Sequence, residues 1–127
     1  MRYKAFMKNI LLASLLIASF NSFAESADYV CGVQHYQVEL TLSPDSNTSM
    51  WLTDTLPYET ISQGFAEFVE KKGSTSTYHF YPAGADEVQL TFKTQDVLDL
   101  PETLNGYIET KAHGFLLWDK LPCRRTN

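Results

Sequence analysis

Long apolar runs, cysteine and positive charge are all scarce in this 127-residue chain, and each shortage excludes something. The longest uncharged apolar stretch, Ile10 to Phe20, is about eleven residues. A transmembrane helix needs roughly twenty, so no membrane insertion is expected. Lysine and arginine number ten against fifteen Asp and Glu, and three of the ten (Arg2, Lys4, Lys8) precede position 24. Beyond it the balance is seven against fifteen, a net charge of −8. Nucleic-acid binding draws on a basic footprint that releases counterions, so nucleic acid is not an expected partner. Anionic lipid is disfavoured for the same reason. With two cysteines, Cys31 and Cys123, and no C-x-x-C pair, thioredoxin-like redox chemistry has no support.

Recognisable catalytic patterns are also missing. There is no G-x-S-x-G elbow. His35, His79 and His113 share no metal-ligand spacing such as H-x-H or H-E-x-x-H. Asp45-Ser46-Asn47-Thr48-Ser49 begins like a calcium loop, but Met50 stands where the sixth-position glycine belongs and Leu56 where the twelfth-position glutamate belongs. The expectation is a non-catalytic protein with no metal and no cofactor. Asn47-Thr48-Ser49 matches a glycosylation triplet, which matters only in a eukaryotic secretory pathway.

What is present begins with an export signal. Arg2, Lys4 and Lys8 form a positive n-region, Ile10 to Phe20 an apolar core, and Ser22-Phe23-Ala24 a small-x-small site before Glu25. Residues 1–24 therefore read as a cleaved secretory signal peptide, and 25–127 as one small exported domain, periplasmic or secreted. In an oxidising compartment Cys31 and Cys123 read as a disulfide that closes nearly the whole domain.

The spacing of apolar residues predicts the elements. Tyr36 to Leu42 alternates without a fault, a strand with one face buried. Ser43 to Asn47 is a turn cluster, and Ser49 to Thr55 a second strand ended by Pro57. Ile61, Phe65, Phe68, Val69 and Lys72 fall on one side of a 3.6-residue period. Thr60 and Gln63 have capping-box spacing and Gly73 can end the last turn, which predicts a helix at about 60–72. Strands follow at Thr75 to Tyr81 and Glu87 to Thr94, joined by the loop Pro82 to Asp86. After a linker through Pro101 come Gly106 to Lys111 and Phe115 to Trp118, with a bend at His113-Gly114. Phe115 to Trp118, apolar on both faces, reads as a central, doubly covered strand. Arg124 to Asn127 reads as a frayed tail. The disulfide requires Cα atoms about 5.5 Å apart, which antiparallel pairing of first and last strands supplies. The fold class is α+β: an antiparallel sheet of about six strands with one helix packed on it. An all-β sandwich or barrel is the alternative.

Candidate binding residues come from charge and aromatics. Residues 86–102 carry Asp86, Glu87, Asp96, Asp99 and Glu102 against Lys93 alone, an acidic stretch suited to steering a basic partner. In Tyr78-His79-Phe80-Tyr81 alternation sends Tyr78 and Phe80 one way, with Tyr81 the residue left for contact. Trp51, flanked on its face by Thr53 and Thr55, reads as exposed on a polar face. A short, exported, β-rich plan closed by Cys31 and Cys123 is similar to that of bacterial periplasmic lysozyme inhibitors. The likeness covers the plan and assigns no residue; Gly73-Ser74-Thr75-Ser76-Thr77 is the stretch nearest in composition to their Ser/Gly-rich loops, and the expected helix departs from them. The resulting expectation is a small exported binding module, a protein inhibitor or immunity-type protein that binds a basic envelope-acting enzyme. The alternatives are a periplasmic accessory or structural protein that binds another envelope protein or a small ligand, and a small enzyme with a dispersed site.

Overall fold

The computed structural model describes residues 25–81, 87–112 and 115–127, with backbone alone at 111–112 and 115–117. The expected signal peptide, the Pro82 to Asp86 loop and the His113-Gly114 bend lie outside the described residues. Among the described residues nine strands are formed: β1 (Ala27–Val33), β2 (Tyr36–Leu42), β3 (Ser49–Asp54), β4 (Glu59–Phe65), β5 (Phe68–Lys72), β6 (Thr75–Phe80), β7 (Val88–Lys93), β8 (Thr103–Ala112) and β9 (Phe115–Arg125). One helix, α1 (Thr94–Asp99), lies between β7 and β8. Every pairing is antiparallel, in the order β4-β3-β2-β1-β9-β8-β7-β6-β5.

That order forces the sheet to roll. Laid flat, its two edges would stand about 38 Å apart, eight spacings of about 4.8 Å. Yet edge strands β4 and β5 are consecutive, joined by Ala66 and Glu67 alone, a link that reaches about 10 Å at most. The sheet therefore curls into a half-barrel whose edges meet at this link. The Ala66 N–H donates to the Thr48 carbonyl and the Glu67 N–H to the His79 carbonyl, each at 2.8 Å, which ties the crossing to both flanks. β4 and β5 behave as two halves of one bent strand.

The helix expected at 60–72 is thus replaced by two strands. Its expected apolar face does not form one buried stripe: Phe65 and Phe68 are exposed, Ile61 and Val69 are only partly buried, and the buried positions are Ser62 and Ala66. As free edges, β3 and β6 would each leave a row of backbone groups unpaired. Pairing with 59–65 and 68–72 satisfies both rows, and the β-branched and aromatic residues of this stretch suit a strand. Gly64 has φ +145°, outside the helical region and costly for any residue with a Cβ. Gly73 makes the β5–β6 turn instead of a helix cap. Helix α1 falls in the stretch read as a linker. It brings Val97 and Leu100 into the core at the end where β1 begins and β9 ends. There the Tyr29 hydroxyl donates to the Pro101 carbonyl at 2.6 Å and Arg125 to the Leu100 carbonyl at 2.7 Å. The all-β alternative fits better than the six-strand α+β plan.

The interior is made by strict alternation. Tyr29, Val38, Leu40, Leu42, Leu52, Tyr78, Phe80, Leu90, Phe92, Leu104, Ile108 and Leu121 point inward and are almost fully buried. Tyr78 crosses this core to donate its hydroxyl to the Ser43 carbonyl at 2.5 Å, as a buried phenol must find a partner. Gly106 is fixed by packing: a Cβ there would stand 2.5 Å from the Phe92 ring, which covers its backbone.

β1, not the Tyr36 to Leu42 strand, is the first strand, and Cys31 lies within it. Cys31 and Cys123 stand directly opposite in the β1–β9 pairing, Cα atoms 4.0 Å apart, and are joined by the disulfide. β9 is central in the order, as expected of Phe115 to Trp118, but Trp118 is 65% exposed, so this strand is not covered on both faces. The tail is not frayed either: Arg124 and Arg125 belong to β9, and the Thr126 N–H donates to the Asp28 carbonyl at 2.8 Å.

Candidate functional site

With the inward side chains consumed by packing, chemistry falls to the outer face of the sheet. The candidate residues from the sequence divide into two places there. Glu87 and Tyr81 come together, whereas Asp96 and Asp99 sit on α1. Glu87 precedes β7 and α1 follows it. The six-residue strand between them separates the two groups by about 20 Å. Asp99 accepts hydrogen bonds from the Gln95 amide at 3.0 and 3.1 Å, an i,i+4 arrangement of an ordinary solvated helix. Asp86 lies outside the described residues. The stretch 86–102 is therefore not one acidic face.

Around Glu87 the outer side chains of β5 and β6 gather. Phe68 and His79 are opposite one another in the β5–β6 register, their rings stacked at 4.2 Å, and Tyr81 lies 6.1 Å from Phe68. Stacking buries His79 although it faces outward; only 7% of the residue is exposed. Its Nδ1 hydrogen-bonds the Glu87 carboxylate, and its Nε2 is 3.9 Å from Glu70, too far for a hydrogen bond. Burial pushes the Glu87 carboxyl upward, but hydrogen bonds from His79, Tyr81 and Gln89 outweigh it and hold the group below the usual carboxylate range. Desolvation and the neighbouring Glu87 push the Tyr81 phenol up. Tyr81 is half exposed, as the alternation of Tyr78 to Tyr81 implied.

The larger feature lies on the other side of the Ala66-Glu67 link. Two rows of outward residues cross β1 to β4 in register: Asp28, Thr41, Ser49 and Phe65; and Val30, Glu39, Trp51 and Gln63. The short Thr41 and Ser49 lie between taller neighbours, leaving an open groove of about 680 Å³. Trp51 and Phe65 are 47% and 69% exposed. The Trp51 indole N–H is occupied by the Thr60 hydroxyl at 3.0 Å, which fixes the ring and presents its face. Thr41 donates to Asp28 at 2.7 Å and Gln37 to Glu39 at 3.5 Å, orienting both carboxylates.

A sequence signal for this half was present and missed. From residue 25 to residue 70 there are eight acidic residues and neither lysine nor arginine, while 71–127 holds seven of each sign. The whole net charge of the domain thus belongs to β1–β4, the link and the start of β5. The nearest cation to the groove by register is Arg124, opposite Val30 on β9. Among the described residues no group of three or more His, Cys, Asp or Glu is placed to hold a metal ion, and no helix is long and apolar enough to cross a membrane. The disulfide is at home in an oxidising, extracytoplasmic compartment. Comparison with protein-family models, with curated proteins and with solved structures returns no match.

Proposed function

We propose that this protein is a small exported binding module, acting in the periplasm or outside the cell, that caps a basic envelope-acting enzyme as an inhibitor or immunity-type protein. One observation carries the reading: residues 25–65, the half of the sheet that exposes Trp51 and Phe65 beside a groove, hold six acidic residues and neither lysine nor arginine, which is −6 of the domain's net −8. A field of one sign steers an oppositely charged partner and raises its on-rate, and exposed aromatics supply the contact area that holds it. Solubility alone needs the charge but not the aromatics. The Phe68–Tyr81–Glu87 cluster, beyond the link, adds a second acid and aromatic patch.

The experiment is capture from envelope extract with the tagged 25–127 domain at low and high salt, paired with an inhibition assay on a purified basic cell-wall hydrolase such as a lysozyme. A basic hydrolase captured at low salt, released at high salt and slowed in turnover supports the reading. A salt-resistant envelope partner transfers it to an accessory role, in which charge does not select the partner.

A further inference from the structure

We infer that the groove on the outer face of β1–β4 is an arginine-binding trough: it seats a guanidinium side chain of a basic polypeptide against Trp51, between the Asp28 and Glu39 carboxylates. The inference rests on the proposed function, since it names the chemistry by which that partner is held.

Three features of the groove select this occupant. Charge comes first. Asp28 and Glu39 line the groove, and no lysine or arginine does. Each carboxylate accepts one internal hydrogen bond, from Thr41 and from Gln37, which orients it while leaving further acceptor capacity for an incoming donor. The aromatic surface comes second. Trp51 stands directly opposite Glu39 in the β2–β3 register, and its indole N–H is already used by Thr60. What the ring presents is therefore its π face, the surface a cation prefers. Shape comes third. The groove is a trough open to solvent, floored by Thr41 and Ser49 and walled by Trp51 and Phe65, which suits a side chain entering from an extended polypeptide. Guanidinium fits better than ammonium because it stacks flat on an indole and donates a planar fork to carboxylates at the same time.

The test uses the groove tryptophan as its own reporter. In a Trp118→Phe background Trp51 is the single indole of the domain. Hexa-arginine, hexa-lysine and hexa-glutamine peptides are titrated at about 20 mM and about 300 mM salt. The expected result is a saturable change in Trp51 fluorescence with hexa-arginine, several-fold weaker binding of hexa-lysine and none of hexa-glutamine. Asp28→Asn with Glu39→Gln should weaken hexa-arginine binding by about tenfold, and high salt should do the same. Calorimetry with Trp51→Leu, which removes the reporter, should show a comparable loss. Glu70→Gln, beyond the link and half as large a change in net charge, should leave binding within about twofold. No saturable response, or equal loss with Glu70→Gln, overturns the trough. Capture with the Asp28→Asn, Glu39→Gln variant separates the two ideas. If it still retains the basic enzyme, the proposed function stands and the trough falls. If hexa-arginine binds as expected but no basic protein is captured by the unaltered domain, the trough stands and the partner assignment falls.

Discussion

Removing the disulfide should cost this protein a large share of its stability. Cys31 and Cys123 are separated by 92 residues, and closing a loop of that size removes about 4.6 kcal/mol of unfolded-chain entropy. A domain of about a hundred residues has roughly 5–15 kcal/mol in total, so the loss is about three-tenths of its stability or more. The structure adds where the loss should appear. β1 and β9 pair over three residues, Tyr29 to Cys31 with Arg125 to Cys123, fewer than at any other seam among the described residues. That seam joins the N-terminal β1–β4 half of the sheet to the rest, and the disulfide lies within it. Both cysteines are buried, so the clean perturbation is Cys31→Ala with Cys123→Ala, which avoids leaving hydroxyls without partners. With a guanidinium m-value of about 3 kcal/mol/M, the unfolding midpoint should fall by about 1.5 M. Amide exchange should quicken first at residues 29–31 and 123–125, and only later in β2 and β3. A midpoint that moves by less than about 0.3 M, or protection lost uniformly, would refute the reasoning.

Three further outcomes follow from the core and the Glu87 cluster. Gly106→Ala places a Cβ 2.5 Å from the Phe92 ring and 2.7 Å from the Thr91 carbonyl, and should cost at least about 1–3 kcal/mol by thermal melting; an unchanged melting temperature would contradict the packing described. Tyr78→Phe should cost about 1–2 kcal/mol through the Ser43 carbonyl left without its donor. Burial pushes the Tyr78 phenol up to about 12, so in an ultraviolet titration one tyrosine should stay protonated until then, and that late step should vanish in the variant. Glu87, held low by His79 and Tyr81 against a burial effect that raises it, stabilises the fold fully above its unfolded pKa of about 4.5. That contribution is lost as pH falls through the depressed folded value, so Glu87→Gln should flatten the acid limb of a stability–pH curve. An unaltered limb would show that the cluster carries no such linkage.

Much of the sheet was legible because burial of one face writes itself as alternation. Tyr36 to Leu42 is β2 to the residue, and Thr75 to Tyr81 and Glu87 to Thr94 overlap β6 and β7 within a residue or two. Two cysteines bracketing the domain were enough to imply their bond and the pairing of the terminal strands. Residues 59–72 were not legible. Their apolar residues recur at helical spacing, but what decides their state is the unpaired backbone of β3 and β6, which is supplied by residues distant in sequence. The candidate site divided in the same way. Tyr81 is placed outside by the alternation of its neighbours, and Glu87 stands out by its charge. Yet His79 is the hub of their cluster through Phe68, on a strand whose apolar spacing follows a helical period. Asp96 and Asp99 seemed near Glu87 along the chain, and β7 carried them to the far end of the barrel.

By itself, then, the sequence determined the quantities that depend on composition and local period: the sign of the charge, the staple, the strands buried on one side, and the exposure of Trp51 and Tyr81. Only the tertiary structure decided which outward residues share a surface. A link of two residues between β4 and β5 rolls the sheet, and register then sets Asp28, Glu39, Trp51 and Phe65 around one groove. Strand register is a long-range property, fixed by backbone pairing across the whole domain, and no local pattern in the chain encodes which distant side chains it makes neighbours.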